Sequence, residues 1–134
     1  MTKNRQTKAV PVAALAGNPN VGKSTIFNAL TGMRQHTGNW PGKTVSLAQG
    51  VCVYKGEEIR LVDLPGTYAL VSKSQEEILA AGFISGGEAD CVIAVCDATS
   101  LERSLILALQ VMELTDRVIV CVNLMDEARK QGIE

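Results

Sequence analysis

Short apolar runs alternate with amphipathic ones along the chain. Val12–Ala16 is unbroken apolar and predicts a buried first strand, with Pro11 at its start, where a strand can spare an N–H. Lys23–Leu30 carries a helical pattern and stops at Thr31-Gly32. Met33 to Lys43 is polar and broken by Gly38, Pro41 and Gly42, so it predicts a loop. Val45, Leu47, Val51 and Val53 predict a half-buried strand over Val45–Tyr54. Lys55-Gly56-Glu57 reads as a hairpin turn and Glu58–Val62 as the returning strand. Asp63-Leu64-Pro65-Gly66 breaks that strand, and a loop runs on to Ser74. A helix is expected over Gln75–Ile84, with Glu76 and Glu77 where the helix dipole favours them. Ser85-Gly86-Gly87 ends it. Cys91–Cys96 is continuously apolar, as in a parallel strand covered on both faces. Leu101, Leu105, Ala108, Leu109 and Met112 lay a helical stripe on Leu101–Leu114. Val118–Val122 reads as another buried strand, closed by Asn123-Leu124-Met125-Asp126, and a polar segment runs to Glu134.

Strands alternating with helices predict an α/β fold: a mostly parallel sheet, right-handed crossovers, and helices on both faces. The hairpin adds one antiparallel edge strand. With 134 residues, one domain is expected, over 9–134, behind a flexible tail at 1–8. Hydrophobic residues make up 46 % of the chain and aromatics only 4 %, so Val, Ile, Leu and Ala must build the core. A net charge of −1 argues against a nucleic-acid surface. Lys3, Arg5 and Lys8 make the tail basic, but it lacks the apolar stretch of a secretory signal. The longest apolar runs are about six residues, against the ~20 needed to span a bilayer, so the chain is expected to be soluble. Cys52, Cys91, Cys96 and Cys121 show no C-x-x-C spacing and sit in strand-like runs, as small hydrophobes in a reducing compartment do.

The chemistry concentrates after the first strand. Gly17-Asn18-Pro19-Asn20-Val21-Gly22-Lys23-Ser24 has two glycines framing four residues, then Lys and Ser, between a strand and a helix. That is a phosphate-binding loop: the backbone curls so that its N–H groups point inward, and the helix adds its positive end. Chance matches in a chain this short number on the order of 0.01, given Gly at ~7 %. Gly17 through Ser24, with Thr25 beside them, are therefore the candidate nucleotide-binding residues of a P-loop NTPase. Lys23 reaches the terminal phosphates and the Ser24 hydroxyl suits Mg²⁺. Asp63-x-x-Gly66 is a weak motif alone, but here it follows a strand. Asp63 would support the Mg²⁺ shell and Gly66 would offer its N–H to a γ-phosphate. Thr44 could complete the Mg²⁺ coordination, so that the polar loop orders with triphosphate and loosens after hydrolysis. Asn123-x-x-Asp126 also follows a strand. A carboxylate at Asp126 accepts two hydrogen bonds from guanine and would stand unpaired against adenine. The Asn123 amide can brace the loop and approach the purine edge. Lys23, Thr44 and Gly66 are the candidates for catalysis. His36, the only His, reads as a solvated loop residue, and Trp40, the only Trp, as a switch-loop residue shielding the nucleotide.

These segments together resemble the cytosolic GTP-binding domain of the ferrous iron transport protein B (FeoB) family. The resemblance rests on the phosphate loop, on Gly38-Asn39-Trp40-Pro41-Gly42-Lys43-Thr44-Val45 and on Asp63-Leu64-Pro65-Gly66-Thr67-Tyr68-Ala69-Leu70. Asp97-Ala98-Thr99-Ser100-Leu101-Glu102-Arg103 and Asn123-Leu124-Met125-Asp126-Glu127-Ala128 complete it. Ribosome-assembly and tRNA-modification GTPases share the phosphate loop, but usually show Asp-Thr-Pro-Gly and Asn-Lys-x-Asp. The resemblance implies a Ras-like GTPase fold and a module on the cytoplasmic side of a bacterial or archaeal iron(II) transporter. That module binds GTP and GDP with Mg²⁺ and hydrolyses GTP slowly. It implies a helical spacer and membrane domain as partners within the same polypeptide. It implies K⁺ beside the phosphates, held by Asn20 with the carbonyls of Gly38 and Trp40. Thr67 stands where Ras-type enzymes carry a water-orienting Gln. Lys43 is commonly Val in the family. The family domain continues past Asn123-x-x-Asp126 with a further strand and helix. A truncated form is therefore expected, with one sheet edge and part of one face uncovered, which invites homo-oligomerisation.

Overall fold

The computed structural model describes residues 10–32, 35–39, 46–71 and 73–133. The expectations for the tail at 1–8 and for Trp40, Lys43 and Thr44 lie outside them, as does the His36 side chain.

In chain order the elements are β1 (Val12–Gly17), α1 (Lys23–Thr31), β2 (Gln35–Asn39), β3 (Ser46–Tyr54), β4 (Glu57–Asp63) and α2 (Gln75–Ser85). After these come β5 (Cys91–Asp97), a 3₁₀ turn at Ala98–Ser100, α3 (Leu101–Leu114), β6 (Val118–Asn123) and α4 (Met125–Lys130). The six strands form one sheet in the order β2-β3-β4-β1-β5-β6. β1 lies parallel to both β4 and β5, and β5 is parallel to β6; β2–β3 and β3–β4 are antiparallel. The α/β expectation holds, and the parallel half puts the strand C-terminal ends on one rim.

β1 is buried along its whole length and its residues alternate between two cores. Val12, Ala14 and Ala16 join Val62, Val92, Phe83 of α2, and Leu107 and Val111 of α3. Ala13 and Leu15 join Leu61 and Phe27 of α1. The chain's two phenylalanines thus take one core each, and both are essentially inaccessible. Small alanines on the central strand let helices approach both faces closely. The helix starts are built locally. Ser74 Oγ accepts the Glu77 N–H (3.1 Å), and Glu77 Oε1 reaches back to the Lys73 N–H (3.1 Å), pairing two N-terminal donors. At the β3–β4 hairpin Lys55 and Gly56 both have positive φ (51° and 81°), the mirror-image turn whose twist suits flanking strands.

The observed structure adds to or departs from the expected one at four places. The polar loop contains β2 at the sheet edge, where no apolar alternation is needed, so β3 is internal and two antiparallel pairs replace one. The polar segment after Asn123 contains α4. The stripe Leu101–Leu105–Ala108–Leu109–Met112 is split in α3: Ala108 is buried and Leu105 packs beside it, Leu101, Leu109 and Met112 are exposed, and Ser104, Leu107 and Val111 complete the buried face. This helix is apolar most of the way round, so spacing alone could not choose its buried side. Finally, β6 is not a buried strand: Ile119, Val120 and Val122 are exposed, and among the described residues the strand pairs only with β5.

Candidate functional site

Gly17, Asp63, Asp97 and Asn123 end β1, β4, β5 and β6, so the sheet itself delivers them to one rim. Ligands of open α/β sheets bind there. An open cleft of about 480 Å³ sits on this rim, lined by Asn18, Pro19, Asn20, Gly22, Lys23, Ser24 and Gly66.

The loop between β1 and α1 curls through two left-handed positions, Asn20 (φ 69°) and Gly22 (φ 84°). Glycine is required at position 22 on two counts: the backbone sign, and the fact that a Cβ would run into the Asn123 amide. The Ile26 N–H donates to the Gly22 carbonyl (3.1 Å), so α1 starts here and its first N–H groups have no partner within the helix. Asn18 is only 4 % exposed, and its Oδ1 accepts no hydrogen bond among the described residues. Lys23 is also buried, and its ammonium is doubly engaged, by the Asp63 carboxylate and by the Leu64 carbonyl at 2.8 Å. A buried charge needs such partners. The sequence assigned Lys23 to phosphate and Asp63 to Mg²⁺; the structure ties the two to each other.

Gly66 lines the same cleft. Its turn is fixed at both ends to β1: Leu64 N–H donates to the Leu15 carbonyl (3.0 Å) and Thr67 N–H to the Gly17 carbonyl (3.1 Å). A Cβ at Gly66 would stand 3.3 Å from Pro19, so only glycine fits this approach without displacing the loop. Thr67 is turned inward and buried.

The base-reading candidates sit beyond Lys23. Asn123 Nδ2 donates to the Val21 carbonyl (3.0 Å), which is the bracing its position predicted. Leu124 adopts a left-handed φ of 64°, rare for a branched side chain; this bend separates Asn123, aimed at the loop, from Asp126 at the head of α4. The Asp126 side chain is 90 % exposed, 3.7 Å from Arg129, beside a shallow cleft lined by Val122 to Glu127.

The donor set fits a hard cation bound together with phosphate. Ser24 and Asp63 supply oxygens, and no cluster of three or more His, Cys, Asp or Glu exists among the described residues to cage a metal alone. Of the residues the resemblance implies for K⁺, Trp40 lies outside the described residues. Asn20 lines the cleft, but Gly38 does not; it is paired into β2 opposite Leu47 and its carbonyl accepts from Gln49 (3.4 Å). Burial pushes the Cys91 and Cys96 thiols up, with the Asp90 charge adding to Cys91 and the Cys121 thiol to Cys96, so both act as packing groups rather than nucleophiles. No helix among the described residues is long and apolar enough to cross a membrane.

The family model described as ferrous iron transport protein B matches residues 11–134. The Fe(2+) transporter FeoB of Methanocaldococcus jannaschii is 54 % identical over 101 residues, 75 % of this chain and 15 % of that protein. The Escherichia coli K12 counterpart is 48 % identical over 123 residues, 89 % of this chain and 16 % of the relative. The chain therefore spans about a sixth of the length of these curated relatives. Among solved structures, the G domain of the T. maritima FeoB iron transporter superposes with a TM-score of 0.84 at 48 % identity, covering 90 % of this chain and 76 % of that one. The cytosolic domain of the same transporter in its GMPPNP form gives 0.84 at 48 % identity over 92 % of this chain and 49 % of that one. By sequence and by fold, the chain belongs to the ferrous iron transport protein B family and corresponds to its G domain.

Proposed function

We propose that the chain is a guanine-nucleotide switch that binds GTP and GDP with Mg²⁺ and hydrolyses GTP slowly, as the cytoplasmic-side module of an iron(II) transporter. One observation carries this reading: a single cleft is walled by the phosphate-binding loop, Lys23 and Gly66, and Asn123 braces the loop from the base side. Solved T. maritima cytosolic domains in GDP and GMPPNP forms support the ligand class.

In this reading the loop N–H groups and Lys23 hold the β- and γ-oxygens, which requires Lys23 to leave Asp63 and frees that carboxylate. Mg²⁺, held by Ser24 with Asp63 and Thr44 in support, supplies charge neutralisation when bound. Gly66 N–H meets the γ-phosphate, and Asn123 and Asp126 select guanine. Water is the attacking group and the phosphoanhydride bond breaks. The inward Thr67 offers nothing to orient that water, which favours slow turnover and keeps a second reading open, a regulatory module with negligible hydrolysis. Potassium stimulation is the finer proposal, anchored on Asn20; it requires Gly38 to give up Gln49. Iron(II) as cargo is supported by the Fe(2+) transporter relatives, and the helical spacer and membrane domain are carried over from the family resemblance. The exposed β6 edge favours self-association.

Fluorescent GDP titration with single-turnover GTP hydrolysis in KCl and NaCl tests these points. Micromolar or tighter GDP binding and a faster rate in KCl are expected. Equal, near-zero rates leave the regulatory module, and a folded chain that ignores millimolar Mg·GTP and Mg·GDP ends the nucleotide reading.

A further inference from the structure

Beyond Gly66 the chain does not fall away into solvent but lies along α3. The Arg103 guanidinium stacks over the Tyr68 ring, 4.4 Å from its centroid. The Leu70 N–H donates to the side-chain carbonyl of Gln110. Arg103 and Gln110 are seven residues apart, so two helical turns bring them to the same side of α3. Tyr68 is 47 % exposed, so simple burial does not explain where its ring sits. The Asp63–Gly66 turn is therefore held to β1 on both sides of Gly66, through Leu64 and Thr67, and the segment that leaves it, Tyr68 to Leu70, is held to α3. Gly66, two residues before Tyr68, is already at the cleft wall against Pro19.

We propose that Arg103 and Gln110 are positioning residues that hold Gly66 ready for a γ-phosphate, so that α3 strengthens triphosphate binding over diphosphate binding. This rests on reading the cleft as a guanine-nucleotide site. A group held in its bound position loses less freedom when the ligand arrives, and only a triphosphate reaches Gly66. The coupling is reciprocal: a bound γ-phosphate tightens the contacts of Tyr68 and Leu70 with α3.

Two measurements test it. Hydrogen exchange on the nucleotide-free chain should show the Leu70 amide exchanging about tenfold faster in Gln110→Leu, while Gln110→Glu, which keeps an acceptor, restores protection. Unchanged β1 protection in the same experiment establishes that the variants fold. Titration should then show GMPPNP weakened about 3- to 5-fold in Arg103→Ala and in Gln110→Leu, GDP unchanged, and Arg103→Lys intermediate. Leu70 protection indifferent to Gln110→Leu overturns the clamp whatever the nucleotides do. Equal losses for GDP and GMPPNP, or none, overturn its selectivity. If the unaltered chain binds neither nucleotide, the reading of the cleft falls and the purpose given to the clamp falls with it, while the exchange result still decides whether the clamp exists.

Discussion

The two ends of the proposed nucleotide site are built on opposite plans. At the phosphate end buried side chains join the backbone beneath the exposed Asn20 and Ser24. Asn18, Lys23 and Thr67 are each under 10 % exposed, two left-handed residues fix the curl, and the Gly66 turn is tied twice to β1. At the base end the proposed discriminating group, Asp126, is a carboxylate 90 % exposed on a six-residue helix, with a solvated arginine 3.7 Å away. The difference follows from what each end must do. Polyphosphate is the same in every nucleotide and rewards a preformed set of donors. Choosing a base needs a penalty for the wrong one, which a carboxylate supplies only once a base covers it and removes its water. Asn123 is the one direct tie between the two ends among the described hydrogen bonds.

The largest expected effect removes the preformed end. Lys23→Ala deletes two or more charge-assisted contacts to phosphate, each worth about 1.5–3 kcal/mol, and so weakens GDP and GMPPNP roughly 100-fold or more. It also leaves the Leu64 carbonyl without its donor and Asp63 without its ion pair, so the melting temperature of the ligand-free chain falls too. Anisotropy titration and a thermal melt read both. A loss below about 5-fold would mean that the phosphate end is not where affinity resides.

The next effect is on choice rather than grip. Inosine diphosphate lacks the 2-amino group from which Asp126 would accept a hydrogen bond in the proposed site. GDP should therefore bind about 10-fold or more tighter than IDP, and Asp126→Ala should bring the two together. Stability should not change, because the exposed pair with Arg129 contributes little. A GDP preference that survives in Asp126→Ala places the reader elsewhere and breaks the division between the two ends.

The same contrast governs what could be read from the sequence. Gly17–Ser24 is contiguous, and its chemistry is written in glycine spacing, so the loop, strand β1 and helix α1 were legible together. Strand β2 was not. Gln35-His36-Thr37-Gly38-Asn39 is polar, and an edge strand needs only backbone pairing to exist. Helix α4 carried a signal that went unused: Asp126 and Glu127 lie in its first turn, Arg129 and Lys130 in its last, the order a helix dipole favours. Strand β6 misled because Val118–Val122 has the composition of a buried strand, whereas burial depends on what covers it. The Lys23–Asp63 pair joins residues 40 positions apart, and no local pattern announces that they neutralise each other. The positions of Arg103 and Gln110 were equally silent, since Tyr68 and Leu70 lie in a loop with no periodicity.

The smallest effect is the most telling, because it tests the tie itself. Asn123→Ala removes one neutral hydrogen bond, from Nδ2 to the Val21 carbonyl at 3.0 Å, worth about 1 kcal/mol, or roughly 5-fold in affinity. Val21 belongs to the phosphate loop and is itself buried, so the lost brace should be felt where phosphate binds. GDP and IDP should weaken by the same factor, leaving the preference set by Asp126 intact. Inorganic pyrophosphate, measured by competition, should weaken as well, although it has no base to contact. If Asn123 acted only at the purine edge, pyrophosphate would bind the variant as it binds the unaltered chain. That result would leave the two ends of the proposed site independent, whereas a shared loss means that the base end helps to hold the phosphate loop in shape.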